Sequence, residues 1–187
     1  MYQIRIHGRG GQGAVTAAEM LSIAAFREGK HAQAFPSFGS ERTGAPVVAY
    51  CRIDDKEIRV REPIAAPDAL IIQDPTLLHH VDVFAGLVPQ GCVLINTGRS
   101  IEELGLKDLK LRTDRIATVP ATELAMKHVG RPVPNAVLLG AFASFSGKLS
   151  MKAVVEAILE KFPGEIGSAN VAAASEAFER LTGAEAD

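Results

Sequence analysis

Apolar and polar residues alternate over residues 2–7, YQIRIH, the two-residue period of a strand with one buried face. From Gln12 to about Gly29 the spacing lengthens to three and four residues, in QGAVTAAEMLSIAAFREG, which predicts an amphipathic helix. Ala14, Ala17, Ala18 and Ala24 keep one side of that helix narrow enough to lie close on a sheet, and Gly29 is a natural stop. HAQAF, ending at Pro36, predicts a second strand. VVAYCRI and EIRVR flank Asp54, Asp55 and Lys56 and read as a β-hairpin. DALIIQD (68–74) and GCVLINT (91–97) are near-continuous apolar runs, as strands buried on both faces should be. Between them PTLLHHVDVFAGL predicts a helix with Pro75 in its first turn. DRIATVPATELAMKHVG reads as a strand running into a helix that Gly130 ends. The remainder is helical: NAVLLGAFASFSG from a cap at Asn135, SMKAVVEAILEKF from Ser150, and SANVAAASEAFERLTG last.

This alternation predicts an α/β fold: a Rossmann-like, mostly parallel sheet with helices on both faces and one β-hairpin insertion, in a single domain over 1–187. In such a sheet the ligand crevice lies at the carboxyl ends of the strands. The glycine-rich stretch 8–13 and the long loop PSFGSERTGAP (36–46) both follow strands, so they are expected to share one rim.

Composition narrows the function. Apolar residues make up 47% and aromatics 5%, with no Trp and a mean hydropathy of +0.12, which suits an aliphatic α/β layer protein. A buried subunit interface accounts for that hydropathy, as does a large core. A net charge of −2 gives no general attraction to nucleic acid or to an anionic membrane. No stretch approaches the roughly 20 apolar residues of a membrane span. No basic-then-apolar leader precedes the first strand, so a cytoplasmic protein is expected. Cys51 and Cys92 stand far apart without a CxxC or Cys/His cluster, which argues against an iron–sulfur or zinc site on this chain.

Gly8, Gly10 and Gly13 satisfy G-x-G-x-x-G between a strand and a helix. Two readings of the loop stay open. Either the glycines permit a tight strand–helix joint, or the helix N-terminus offers its free N–H groups and partial positive charge to an anion. In the second reading Gly11 loosens the loop, Gln12 begins the helix and Arg9 adds a planar cation. A nicotinamide dinucleotide site would need an acid about 20 residues on, to hold the ribose. That stretch is AQAFPS, without one. In the second loop Ser37, Ser40, Glu41, Arg42 and Thr43 lie between aromatic and proline residues, and they suit either a cleft lining or a subunit contact with Phe38 as anchor.

GRGGQGAVTAAEMLSIAAF, AQAFPSFGSERTGAPV, DPTLL, LINT and PNAVLLGAFA, in this order over about residues 2–178, resemble the gamma subunit of the pyruvate/2-oxoacid:ferredoxin oxidoreductases. The resemblance implies a multi-subunit enzyme that converts a 2-oxoacid, coenzyme A and oxidised ferredoxin to acyl-CoA, carbon dioxide and reduced ferredoxin. It implies that thiamine diphosphate, Mg and the iron–sulfur clusters are carried by alpha-, beta- and delta-type partners. This chain would then bind none of these cofactors alone, and would not be catalytic alone. Coenzyme A would be held through Gly8, Arg9, Gly10, Gly11, Gln12 and Gly13, with Ser37, Arg42 and Asn135 at the same cleft. Thr43 and Ala45 stand where relatives often carry a second Arg or Gly, which leaves the oxoacid branch open. The alternative from the glycine fingerprint alone is a stand-alone Rossmann nucleotide-binding oxidoreductase or sensor.

The remaining candidates read as structural. His7 is expected to be a packed, hydrogen-bonded histidine. His79 and His80 are adjacent on the predicted helix and point apart, so they form no metal pair. Asp74 before Pro75 reads as a helix cap, and Asn96 as a strand-end cap.

Overall fold

The computed structural model describes residues 1–37, 43–106 and 113–184. Six strands, β1 (Tyr2–Arg9), β2 (His31–Pro36), β3 (Pro46–Asp54), β4 (Ala69–Ile72), β5 (Cys92–Asn96) and β6 (Ile116–Val119), form one sheet in the order β2-β3-β1-β4-β5-β6. β1, β4, β5 and β6 are parallel, while β3 pairs antiparallel with both β1 and β2. Only β3 therefore runs against the rest, which is the mostly parallel α/β sheet expected.

The helices α1 (Ala14–Arg27), α2 (Ala121–Val129), α3 (Asn135–Ser146), α4 (Met151–Lys161) and α5 (Gly164–Ala184) share one core with one sheet face. Ile4, Ile6, Ile71 and Leu94 point into that core, against small residues such as Ala17, Ala174 and Gly140 that bring the layers close. The opposite face carries Leu70, Ile72, Val93 and Ile95, covered by Leu77 of the 3-10 turn Pro75–His79 and by Val83. Ser150 caps α4 by accepting from Ala153 N–H at 3.2 Å, as its position predicts.

Two elements differ from the sequence reading. EIRVR (57–61) is not a strand, so the hairpin does not lie where the pattern put it; the antiparallel pair is β2–β3. β3 already has a neighbour on each side and has no free edge for a returning strand. The stretch 60–64 instead lies where its carbonyls serve buried arginines: Arg52 donates to Val60 O at 3.3 Å and to Glu62 O, and Arg5 reaches Ile64 O at 3.5 Å. PTLLHHVDVFAGL (75–87) makes only the 3-10 turn before breaking into turns. Gly86 takes φ 73° there, and a Cβ on it would stand 1.9 Å from Ala65 O, so the chain crosses too close to another backbone to stay helical.

His7 is packed as expected. It is 4% exposed, and its Nε2 accepts from Arg5 Nε at 3.0 Å. Burial, and then the nearby Arg5 charge, push its pKa from 6.5 down to about 4. The unfolded chain takes up this proton near pH 6.5, but the folded chain does so only near pH 4. Stability present above the higher value is therefore lost as pH falls toward the lower, about 2 kcal/mol of it by pH 5. His7→Gln keeps an acceptor and cannot titrate. Urea unfolding at pH 7 and pH 5 should show the parent chain losing more stability than this variant; equal losses would refute the assignment.

Candidate functional site at the carboxyl edge of the sheet

His7, Ile72 and Ile95 stand level on β1, β4 and β5. One residue further, Gly8, Gln73 and Asn96 form a row at the carboxyl edge, on the face that carries the α-helices. Asn96 is the cap its position predicts. Its Oδ1 accepts from Thr122 N–H at 3.1 Å, and its Nδ2 donates to Gln73 O at 2.7 Å and Thr122 Oγ1 at 2.8 Å.

The glycine loop and the second loop share a rim. Gly10 N–H donates to Ala45 O at 2.9 Å, and Gly44 N–H donates to Gly10 O at 3.1 Å. Gly13, at φ 75°, is the N-cap of α1; no side chain caps this end and no acid lies in the first turn. The opening N–H groups and the positive end of α1 are thus left available to an anion. The tight-joint reading holds as well. A Cβ on Gly8 would stand 2.7 Å from Gln73 Oε1, and one on Gly13 would stand 2.7 Å from Asn135 Nδ2. Gly11, at φ 93°, faces open space.

Arg9 is committed to a latch. Its Nε meets Asp74 Oδ2 at 3.1 Å, its Nη1 donates to Gly44 O at 3.1 Å and its Nη2 to Thr76 Oγ1 at 2.8 Å. Gln12 completes the latch, with Nε2 donating to Asp74 Oδ2 at 2.8 Å and Oε1 accepting from Arg9 N–H at 2.8 Å. Burial works to raise the Asp74 pKa, but donors from Thr76 and Gln12 and the Arg9 charge outweigh it, and the carboxyl lies below its ordinary range. Asp74 also caps the 3-10 turn through Thr76 N–H at 2.9 Å, as predicted. The cation expected to meet a phosphate therefore fixes the shape of the loop.

Asn135 reaches the site but is not a cap. Pro134 holds the cap position, and Asn135 is the buried first residue of α3. Its Oδ1 accepts from Ala136 N–H at 2.8 Å, which leaves its Nδ2 against Gly13. The proline ring before it holds φ at −80°, already in the helical range. Ser37 lies across β3 from the loop, its N–H extending the β2–β3 ladder to Val48 O at 2.8 Å. Arg42, with Phe38, Ser40 and Glu41, lies outside the described residues. Cys51 and Cys92 are buried and unpaired with each other, and burial pushes the Cys51 thiol up to about 12. His79 and His80 are exposed.

Sequence reasoning missed two features. Gln73 is 1% exposed, and neither atom of its carboxamide has a hydrogen-bond partner among the described residues. Its only sequence signal is a polar residue closing an apolar run. Beside the latch, a cleft of about 500 Å³ opens between Thr76, His79, Arg99 and Thr122.

A family model described as pyruvate ferredoxin/flavodoxin oxidoreductase matches residues 3–180. The chain belongs to this family. It is 51% identical over 180 residues to the "Pyruvate/ketoisovalerate oxidoreductases common subunit gamma" of Thermococcus kodakarensis, covering 96% of this chain and 97% of that one. It is 48% identical over 181 residues to "Pyruvate synthase subunit PorC" of Methanothermobacter marburgensis, covering 97% and 98%. The crystal structure of pyruvate oxidoreductase subunit PORC from Thermotoga maritima superposes with a TM-score of 0.82 at 36% identity, over 95% of each chain. The resemblance read from the motifs is thereby established: this is a gamma-type subunit of a pyruvate/2-oxoacid:ferredoxin oxidoreductase, and other subunits complete the enzyme. Among the described residues of this gamma-type subunit, no group of three or more His, Cys, Asp or Glu is placed to hold a metal. No described helix is long and apolar enough to cross a membrane.

Proposed function

We propose that this gamma-type subunit holds coenzyme A for an active centre built by alpha-, beta- and delta-type partners in the cytoplasm, with pyruvate the favoured 2-oxoacid. The observation that carries this reading is the open N-terminus of α1, uncapped and free of acids behind the left-handed Gly13. A phosphate of the coenzyme accepts from the N–H groups at the start of α1 and gains from the helix dipole. The Arg9–Gln12–Asp74 latch fixes the loop before the ligand arrives, so little ordering entropy is lost on binding. Thiamine diphosphate with Mg and iron–sulfur clusters, carried by the partners, would supply the decarboxylation and electron-transfer chemistry. This chain packs against those subunits and orients the coenzyme.

Hydrogen exchange on the assembled complex tests the reading. Saturating coenzyme A should slow the amides of residues 10–16, whereas pyruvate alone or NAD should leave them unchanged. Slowing confined to the partner subunits would overturn it.

A further inference from the structure

The Gln73 side chain makes no hydrogen bond among the described residues. Its backbone is satisfied, with N–H donating to His7 O at 2.8 Å and O accepting from Asn96 Nδ2 at 2.7 Å. Yet its carboxamide is enclosed with both Nε2 and Oε1 unpartnered among the described residues. Leaving a buried polar group unpaired costs about 1–3 kcal/mol, and an apolar side chain of the same shape would avoid that cost. The carboxamide lies beneath the glycine loop: the point a Cβ on Gly8 would occupy is 2.7 Å from Gln73 Oε1, 3.4 Å from Gln12 Oε1 and 3.4 Å from Ala14 Cβ, at the start of α1.

We propose that Gln73 is a ligand-contacting residue, whose carboxamide meets the part of the bound coenzyme that both accepts and donates a hydrogen bond, beside the phosphate held by α1. The proposal rests on the reading that the glycine loop holds coenzyme A. A bare oxyanion would satisfy only Nε2, because it has no hydrogen to give Oε1. A hydroxyl or an amide satisfies both atoms. Coenzyme A offers such groups on its ribose and base at one end and on its pantetheine arm at the other. Gln12 lies beside this point, its Oε1 accepting from Arg9 N–H at 2.8 Å and its Nε2 held by Asp74, so the latch borders the place where the ligand group would meet Gln73.

The signature of this role is opposite movement of stability and affinity. In the assembled complex, Gln73→Leu should raise the thermal midpoint of this subunit or leave it unchanged, raise the coenzyme A KM about tenfold, and leave the pyruvate KM and kcat within twofold. Inhibition by one of two fragments, pantetheine or adenosine 3′,5′-bisphosphate, should weaken in parallel and name the portion contacted. An unchanged coenzyme A KM in Gln73→Leu, or a lowered midpoint with both KM values moving together, would overturn the proposal and leave a carboxamide that merely holds the fold. If coenzyme A also fails to protect residues 10–16, the underlying reading has failed rather than this residue's role.

Discussion

Gly140→Ala should destabilise the fold by at least about 3 kcal/mol, and lower the thermal midpoint by about 10 °C. Gly140 is where α3 presses against α5. A Cβ there would stand 2.0 Å from Ala174 O and 2.6 Å from its carbonyl carbon. Both atoms are backbone, so relief requires moving one helix off the other. The loss would spread, because α3 carries Asn135 at its start and α5 closes the core behind it. Gly183→Ala is the internal control. It lies in α5, exposed and with nothing within 4 Å of a new Cβ. Alanine there should be neutral or stabilising by up to about 1 kcal/mol through helix propensity. Thermal unfolding should show a large fall in midpoint for Gly140→Ala and no fall for Gly183→Ala. Equal shifts would contradict the close α3–α5 approach.

Asp74→Ala should be the most damaging single change at the candidate site. One carboxylate accepts from Arg9 Nε, Gln12 Nε2, Thr76 N–H and Thr76 Oγ1, at 3.1, 2.8, 2.9 and 2.6 Å. Its removal frees Arg9 and Gln12 and uncaps the 3-10 turn, at a cost of about 2–3 kcal/mol for a partly buried charged hub. The functional loss should be larger than the stability loss suggests, because the glycine loop would no longer be held in its binding shape. The coenzyme A KM should rise more than tenfold with a smaller change for pyruvate. Asp74→Asn retains an acceptor and should recover part of both. A coenzyme A KM equal to that of the parent enzyme would show that the latch does not shape the site.

Local chemistry was legible along the chain, and partnership between distant segments was not. The strands, the Ser150 and Asn96 caps, the Asp74 cap and the packed His7 each follow from a short pattern acting on its own neighbourhood. EIRVR alternates as a strand does, but whether it becomes one depends on a free sheet edge, and β1 and β2 take both edges of β3. Residues 75–87 have helical spacing, yet Gly86 must pass Ala65 too closely for a helix to continue. The tight strand–helix joint was legible from the glycine fingerprint, since Gly8 and Gly13 pass close to Gln73 and Asn135. The latch partner of Arg9 was not legible, because Asp74 is 65 residues away along the chain. Gln73 was invisible for the same reason. What distinguishes it is a missing partner, and a missing partner has no sequence pattern.

The central claim is that the loop after β1 receives the anionic part of coenzyme A, and charge at Gly11 tests it most directly. Gly11 faces open space at φ 93°, so Gly11→Asp and Gly11→Asn bear similar backbone strain and differ in one negative charge. A charge about 6 Å from a phosphate in a partly screened site is worth roughly 1.4 kcal/mol, or about tenfold in affinity. In the assembled enzyme the coenzyme A KM should be about tenfold higher for Gly11→Asp than for Gly11→Asn, with pyruvate KM equal in the two. A coenzyme A ratio of about one between these variants would contradict the account.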